Sequence, residues 1–243
     1  MTEAGRLLAS GRDADIYEFG PGLVVRRTKL GRVIDHEARV MEYAAERGYP
    51  VPRVHDVRAG GSEIVMERLD GPMLMQVMRK RPHTMARNTR LLADLHDQLH
   101  ELAAPDWLPR VGDGGDRLLH LDLHPMNVMV TRRGPVVIDW SNAARGDPLT
   151  DVAHTYVLLT CPRAPLPYAL RAALQPSRLM MARVFTARYR SHELDQRVWE
   201  AAELKMLDTN MLRDEIARCR RLADRKRRRP HASRFGPRSS DQA

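Results

Sequence analysis

The stretch "HLDLHPMNVMV" spans residues 120–130, and the run "VVIDW" follows at residues 136–140. Two histidines, an aspartate and an asparagine fall within the first eight of these residues, a polarity that a packed core does not need. The apolar runs "NVMV" and "VVIDW" are separated by the turn sequence "TRRG", which predicts a β-hairpin. Asn127 at the entrance and Asp139 at the exit would then lie at the same end of the hairpin.

These side chains match the needs of phosphoryl transfer from a nucleotide. That reaction uses a divalent cation held by oxygen ligands and an acidic residue beside the attacking hydroxyl. Asn127 and Asp139 offer amide and carboxylate oxygens as ligands, which leaves Asp122 free to accept or orient the proton of the acceptor. His120 and His124 are expected to hold the loop by hydrogen bonds. A zinc site on the two histidines is disfavoured, because the proline after His124 would break the helix that an HExxH-type site needs.

The first 70 residues favour strands and one helix. The runs "DADIYEF", "LVVRR" and "EIVME" are short and bounded by turn residues, which is typical of a small antiparallel sheet. Between them, "VIDHEARVMEYAAERG" repeats apolar residues at helical spacing and ends in a glycine, which predicts one helix packed on the sheet. After "RLDGP" the pattern becomes helical. The chain is therefore predicted to be α+β, with a sheet lobe over residues 1–70 and a mainly helical lobe over residues 71–210.

The positive charge of the chain is concentrated at its C-terminus. The net charge is +9, and residues 211–243 contain 11 basic and 4 acidic residues, so this segment carries +7 of the total. Its composition predicts a basic helix end followed by a disordered tail. Such a tail is either solvated without a dedicated partner or a contact site for RNA, anionic lipid or an acidic protein. A nucleic-acid or acidic partner is expected through the tail only.

Outside this tail, the composition favours a cytoplasmic protein without a membrane partner. The N-terminus lacks the apolar core of a secretory signal, and no apolar run approaches the roughly 20 residues that a membrane-spanning helix needs. Cys161 and Cys219 lie 58 positions apart without a CxxC spacing. They are interpreted as buried small apolar residues, because neither a zinc site nor a disulfide framework is indicated.

Three motifs in order resemble the aminoglycoside phosphotransferase and choline kinase-like family. They are the run from His120 to Asn127, the "IDW" at residues 138–140 and "GDPLTDVA" at residues 146–153. The resemblance implies a two-lobed protein-kinase-like fold that uses ATP or GTP with Mg²⁺. It makes Asp122 the catalytic base, makes Asn127 and Asp139 the magnesium ligands, and makes Asp151 a buried anchor that braces the catalytic loop. Asp147 belongs to the same motif with a structural role.

The resemblance extends to the first lobe and covers roughly residues 5–210. "LASGRDADIYEFG" is similar to the loop that covers the nucleotide, with Gly11 at its turn. "LVVRR" is similar to the strand that presents a cation to the phosphates. That cation would be Arg26, where protein kinases usually have lysine, and Glu37 would be its ion-pair partner. Glu67, in the interlobe stretch "MERLDG", is assigned to the same nucleotide site.

Three functional hypotheses follow from these observations. The leading one is a kinase that phosphorylates a hydroxyl of a small molecule, because Asp122, Asn127 and Asp139 are all present. The second is a protein kinase or a catalytically weak kinase-like binding module. A protein kinase is disfavoured because the chain has no "APE"-like segment and no long activation loop after Asp139. The third, a nucleic-acid-associated protein, is disfavoured by the nearly neutral body and by an aromatic content of only 5%. The acceptor is not readable from the sequence.

Overall fold

The N-terminal lobe is built on a five-stranded antiparallel sheet. The computed structural model describes residues 5–11, 13–29, 31–161, 168–189, 191–207 and 211–227, with the side chains of 168–174 and 192 outside the description. The strand order is β1-β2-β3-β5-β4. The strands are β1 Leu7–Ser10, β2 Ala14–Glu18, β3 Leu23–Thr28, β4 Val54–Arg58 and β5 Glu63–Glu67. The sequence predicts the three central strands, and the two edge strands were not predicted because most of their side chains are exposed and show no apolar alternation.

One helix packs on this sheet, as the apolar spacing predicts. Helix α1 spans Asp35–Glu46 and buries Ala38, Met41 and Ala44 on one face. The chain reverses directly after it at Gly48, where φ is +78°. A residue without a Cβ adopts this left-handed conformation at little cost.

The segment between the lobes passes close to the hairpin of the second lobe. The backbone amide of Val130 donates a hydrogen bond to the Pro72 carbonyl over 2.8 Å. A Cβ on Gly71 would lie 2.1 Å from the Val130 carbonyl oxygen, so only glycine fits there. The "RLDGP" stretch is therefore a tight connection held against the second lobe.

The second lobe is mainly helical, with two small sheets that carry the polar motif. Its helices are α2 Leu74–Lys80, α3 Met85–His100, α4 Pro148–Thr160, α5 Tyr168–Thr186, α6 His192–Met206 and α7 Arg213–Arg227. Its strands are β6 Arg110–Val111, β7 Arg117–Leu119, β8 Val128–Thr131, β9 Gly134–Val137 and β10 Ala144–Gly146. Strands β8 and β9 form the predicted hairpin, with Val128 opposite Val137. The α+β, two-lobed fold class predicted from the sequence is confirmed.

A single apolar core runs through both lobes. It extends from Ile34 and Val51 in the first lobe to Leu123, Trp140 and Phe185 in the second. Each residue is at most 6% exposed, so this interior is continuous across the lobe boundary. None of the helices in the described ranges is both long enough and apolar enough to cross a membrane.

Helix α7 is built into the helical lobe. It belongs to the segment predicted as a basic extension, but it buries Cys219, Leu222 and Ala223 as part of the common core. Its packing partner is mainly α6. The predicted disordered tail beyond Arg227 lies outside the described residues.

We predict that deletion of residues 230–243 leaves the melting temperature within about 2 °C of the parent, since α7 ends before this segment. As a control, deletion of residues 211–243 should lower it by more than about 5 °C, because burying one leucine contributes about 1.5–3 kcal/mol. Differential scanning calorimetry measures both values. Equal losses in the two truncated proteins would show that the last residues belong to the core.

Candidate active site

The polar motif forms a loop between β7 and β8, and His120 holds it from inside. The His120 side chain is fully buried and packs on Trp140 at a centroid distance of 4.6 Å. Its Nδ1 accepts from the Asp122 backbone amide at 3.3 Å, so its Nε2 carries the proton that it donates to the Ile138 carbonyl at 3.1 Å. Burial lowers the pKa of His120, which keeps the ring neutral in this arrangement. His120 therefore ties the loop to the end of the hairpin.

His124 makes a similar local contact on the exposed side of the loop. Its Nδ1 accepts from the Met126 backbone amide at 3.2 Å. Its Nε2 lies 3.9 Å from a carboxylate oxygen of Asp122. The ring thus shapes the turn at residues 124–127 and borders the Asp122 carboxylate.

Asp151 supports the loop from below. This residue lies in the first turn of α4 and is fully buried. One carboxylate oxygen accepts from the Leu121 amide at 2.7 Å, and the other accepts from the His120 amide at 3.1 Å. Two backbone donors that would otherwise be buried without partners are satisfied by one side chain.

Two histidines of α3 border the buried Asp151 carboxylate. His100 Nε2 is hydrogen-bonded to it at 3.0 Å, and His96 Nδ1 lies 3.5 Å away. Burial alone would raise the pKa of Asp151, but the two adjacent histidines outweigh burial and hold this pKa well below its usual value. No sequence motif assigns these histidines to the site. Their four-residue spacing on a leucine-rich helix is the signal that could have indicated a shared partner.

The loop is strained where Asp151 holds it. Leu121 has a φ of +61°, a left-handed conformation that is an outlier for a bulky side chain. Such a residue costs about 1–3 kcal/mol and persists only where its surroundings enforce it. The hydrogen bond from the Leu121 amide to Asp151 is one such constraint, and it fixes the direction in which the next residue, Asp122, leaves the loop.

Asp122 and Asn127 are held together across the loop. The Asn127 side-chain amide donates to both the Asp122 carbonyl and the Asp122 carboxylate, at 2.9 Å each. The Asp122 side chain stays 26% exposed. Because the Asn127 nitrogen is used in these bonds, its amide oxygen remains available as a ligand.

Asp139 lies at the exit of the hairpin, at the same end as Asn127. It has a φ of +67°, and its Oδ1 accepts from the Ser141 hydroxyl at 2.9 Å. Its side chain is 38% exposed. The Asp139 carboxylate and the Asn127 amide oxygen are hard oxygen donors, which is the ligand type that Mg²⁺ prefers. The donor set therefore fits a magnesium ion held by these two residues.

Arg26 connects the first lobe to this end of the hairpin. Its guanidinium lies 3.1 Å from Glu37 of α1 and 3.5 Å from Asp139. The neighbouring Arg27 points to the opposite face of the sheet, where it pairs with Glu63 at 2.7 Å. Arg26 Nε is buried without a hydrogen-bond partner among the described residues. This N–H group is a donor that the described residues leave unsatisfied.

Glu37 is the buried partner of Arg26. Its side chain is only 2% exposed. Burial raises the pKa of Glu37, and the adjacent Arg26 guanidinium opposes this rise. Since a buried carboxylate without a cation would be costly, the pair fixes the Arg26 side chain toward the cleft.

Gly11 lies in the turn between β1 and β2. Its backbone amide donates to the Ala14 carbonyl at 2.9 Å, and its own carbonyl accepts from Lys29 Nζ at 2.6 Å. A Cβ at this position would lie 3.1 Å from the Ala14 oxygen, so the turn is tight.

Glu67 and Asp147 make contacts that stabilise the scaffold. The Glu67 carboxylate accepts from Arg133, in the hairpin turn, and from the Arg53 backbone amide. The assignment of Glu67 to the nucleotide site stays a prediction. Asp147 caps the first turn of α4 through the Leu149 amide at 2.9 Å, and it pairs with Arg197 at 3.1 Å.

We predict that Asp151→Asn lowers the free energy of unfolding by about 3 kcal/mol or more, because it replaces a buried charged acceptor of several hydrogen bonds. The exposed Asp116 is a matched control, and Asp116→Asn should change stability by less than about 0.5 kcal/mol. Urea unfolding gives both values. Hydrogen exchange should also show faster exchange at the amides of His120 and Leu121 in Asp151→Asn. Unchanged exchange there would contradict the bracing role.

Comparison with known proteins identifies similar proteins at two levels, a family model and the fold of solved structures. A family model described as the phosphotransferase enzyme family matches residues 4–113 and 76–183. A search of curated protein sequences finds no match.

Several solved structures are similar in fold at low sequence identity. A thermostable mutant of aminoglycoside phosphotransferase APH(4)-Ia, in ternary complex with AMP-PNP and hygromycin B, is 16% identical, with a TM-score of 0.64 over 91% of this chain and 92% of that chain. A choline/ethanolamine kinase family protein from Mesorhizobium loti is 15% identical, with a TM-score of 0.55 over 93% and 87%. A mutant of aminoglycoside 2'-phosphotransferase-IIIa in complex with GDP is 14% identical, with a TM-score of 0.57 over 93% and 92%.

These structures share the two-lobed architecture described above, and the two matched segments of the family model together extend over more than half of the chain. The resemblance seen in the sequence motifs is therefore confirmed, and the chain belongs to the phosphotransferase enzyme family.

Proposed function

We propose that this protein transfers the γ-phosphate of ATP or GTP to a hydroxyl group of a small molecule in a magnesium-dependent reaction. The observation that carries the proposal is the meeting of Asp122, Asn127, Asp139 and Arg26 at one end of the β8–β9 hairpin. An exposed carboxylate, two oxygen ligands and a cation are the groups that phosphoryl transfer needs in one place.

Each of these residues has a separate part in the proposed reaction. Asn127 and Asp139 would hold Mg²⁺, which neutralises charge on the phosphates when bound. Arg26 would contact the phosphates through its unpaired Nε–H group, and the turn at Gly11 would cover them. Asp122 would accept the proton of the acceptor hydroxyl while the hydroxyl oxygen forms a bond to the γ-phosphorus. The bond between that phosphorus and the β–γ bridging oxygen breaks, and the nucleoside diphosphate leaves.

The acceptor is proposed to be a small molecule because little chain is available to dock a peptide after the hairpin. Residues 140–147 are all that separates Asp139 from α4, and strand β10 occupies three of these positions. The structural neighbours that were solved with AMP-PNP and hygromycin B and with GDP support a nucleotide and a small acceptor. They do not fix the choice between ATP and GTP, so both nucleotides belong in the test.

The reaction is tested by a nucleotide-consumption screen over hydroxyl-bearing small molecules, with ATP and GTP in parallel and product identification by mass spectrometry. Asp122→Ala protein is the matched blank. A phosphorylated product that forms with the parent and not with the blank would support the proposal. Magnesium-dependent nucleotide binding without any product would favour the kinase-like binding module instead.

For the acceptor identified in this way, we predict that Asp122→Ala lowers kcat by about 100-fold or more, the scale of a positioned base. Nucleotide affinity, measured by isothermal titration calorimetry, should stay within about three-fold of the parent, because Asp122 does not hold the metal in this scheme. Full activity in a folded Asp122→Ala protein would exclude the proposed base.

Arg26→Ala should weaken nucleotide binding more than Arg27→Ala, since only the Arg26 side chain reaches Asp139 and the cleft. The same calorimetric titration measures both variants, and Arg27 is the natural control because it is the adjacent residue of the same strand. Equal affinities in the two variants would remove Arg26 from the nucleotide site.

A further inference from the structure

A cavity rich in arginine lies in the helical lobe, at the end of α4 that is remote from Asp151. It has a volume of about 610 Å³ and is bordered by α4, α5 and α7. Four arginines line it, Arg178 of α5 and Arg218, Arg221 and Arg225 of α7, together with one carboxylate, Asp224. Neither the family resemblance nor the proposed reaction uses these residues.

Among the described residues that line this cavity, positive charge exceeds negative charge, since four arginines are present with one carboxylate. Arg218 and Arg221 make no side-chain hydrogen bond or ion pair with the residues that the structure describes, and Arg225 Nε donates only to the backbone carbonyl of Arg221. Two other arginines of the helical lobe are paired: Arg188 contacts two aspartates and Arg197 contacts Asp147.

The connection between α4 and α5 does not supply further negative charge. Residues 162–174, which connect α4 to α5 and begin α5, contain two arginines and no aspartate or glutamate. Glu215, one turn before Arg218 on α7, accepts from the Leu212 backbone amide at 2.8 Å, and its charge acts to raise the pKa of Arg178, so it offsets part of the positive charge.

A structural role explains only one of the four arginines. Arg178 Nε donates to the Leu159 carbonyl at 3.1 Å, which satisfies a backbone acceptor near the C-terminus of α4. Burial lowers the pKa of Arg178, and the neighbouring positive charge of Arg218 lowers it further. The two guanidinium groups therefore repel each other, and an anion between them would relieve this repulsion.

We propose that this cavity binds a small molecule that carries a phosphate or carboxylate group. Guanidinium groups bind such oxyanions through paired, charge-assisted hydrogen bonds. The volume lies within the roughly 300–1,000 Å³ range of small-ligand pockets. A polycationic ligand would be repelled by the same charges.

The cavity is connected to the catalytic loop through α4. Thr155 of this helix donates to the Leu123 carbonyl of the loop at 2.7 Å, and Tyr156 lines the cavity. Thr160 lies nine positions after Asp151, which is about 13 Å along a helix. The anionic group could thus belong to the distal end of the acceptor, which rests on the proposed function, or to a separate effector.

Binding of inorganic pyrophosphate, measured by isothermal titration calorimetry on the full chain, tests the proposal without requiring phosphotransfer activity. The double variant Arg218→Gln/Arg221→Gln should bind pyrophosphate at least ten-fold more weakly than the parent. The matched control is Arg213→Gln/Arg220→Gln, which removes the same charge from exposed positions of the same helix that do not line the cavity. This control should bind like the parent.

Three results would overturn the proposal. Equal weakening in both double variants would show a diffuse attraction of anions to α7. Loss in Arg26→Ala alone would place the anion in the nucleotide cleft. A single-stranded oligonucleotide that binds more tightly than pyrophosphate, and that needs Arg218 and Arg221 to do so, would assign these arginines to a nucleic-acid contact. A failure of nucleotide binding or turnover would leave the pyrophosphate measurement unaffected, so the two proposals fail separately.

The source of the anion is resolved with the acceptor found in the screen. Two results together would identify the cavity as the distal part of the acceptor site. Pyrophosphate would compete with the acceptor, and the KM for the acceptor would rise only in the Arg218→Gln/Arg221→Gln variant. Pyrophosphate that changes kcat without competing would identify an effector site. Both results support an anion site in this cavity.

Discussion

The hydrogen bonds from the backbone of the polar loop to the buried Asp151 carboxylate are the constraint on which the site depends. The Asp151 carboxylate accepts hydrogen bonds from the backbone amides of His120 and Leu121. It also lies within 3.5 Å of His96 and His100. Without Asp151, the left-handed backbone at Leu121 would lose a hydrogen bond that stabilises it. Asp151 therefore stabilises the fold and also determines where the loop presents its carboxylate. It anchors α3, α4 and the loop at one point inside the apolar core.

A second constraint aligns the two lobes. Arg26 contacts Glu37 within the first lobe and Asp139 within the second, so one side chain spans the cleft. The Gly71 segment and the continuous core hold the lobes close enough for this contact. The pairing of Arg26 with a buried glutamate also prevents the arginine from turning toward solvent. In the proposed reaction, Arg26 is thus a fixed cation near the proposed metal ligand Asp139, which is the arrangement that nucleotide phosphates require.

The sequence allowed much of this arrangement to be predicted, because its signals are local. The hairpin follows from two apolar runs around a turn, α1 and α3 follow from helical spacing, and the motif order pointed to the family. Contacts between distant segments were not predictable. The bracing histidines lie about fifty residues from Asp151, and their pattern on α3 is the same as that of an ordinary partly buried helix face. The ion pair between Glu67 and Arg133 of the hairpin turn is another such contact. The arginine cavity forms because α7 packs into the helical lobe. The high charge of residues 211–243 gave no indication of this packing.

The proposal that the hairpin end forms a metal-dependent nucleotide site is tested most directly by Mn²⁺ binding in the presence of AMP-PNP, followed by electron paramagnetic resonance. We expect the parent to bind Mn²⁺ together with the nucleotide and Asp139→Asn to lose at least ten-fold in Mn²⁺ affinity. Asp56→Asn, a change of the same charge at an exposed position of edge strand β4, should bind like the parent. Equal Mn²⁺ affinity in Asp139→Asn and Asp56→Asn would contradict a metal site at Asp139.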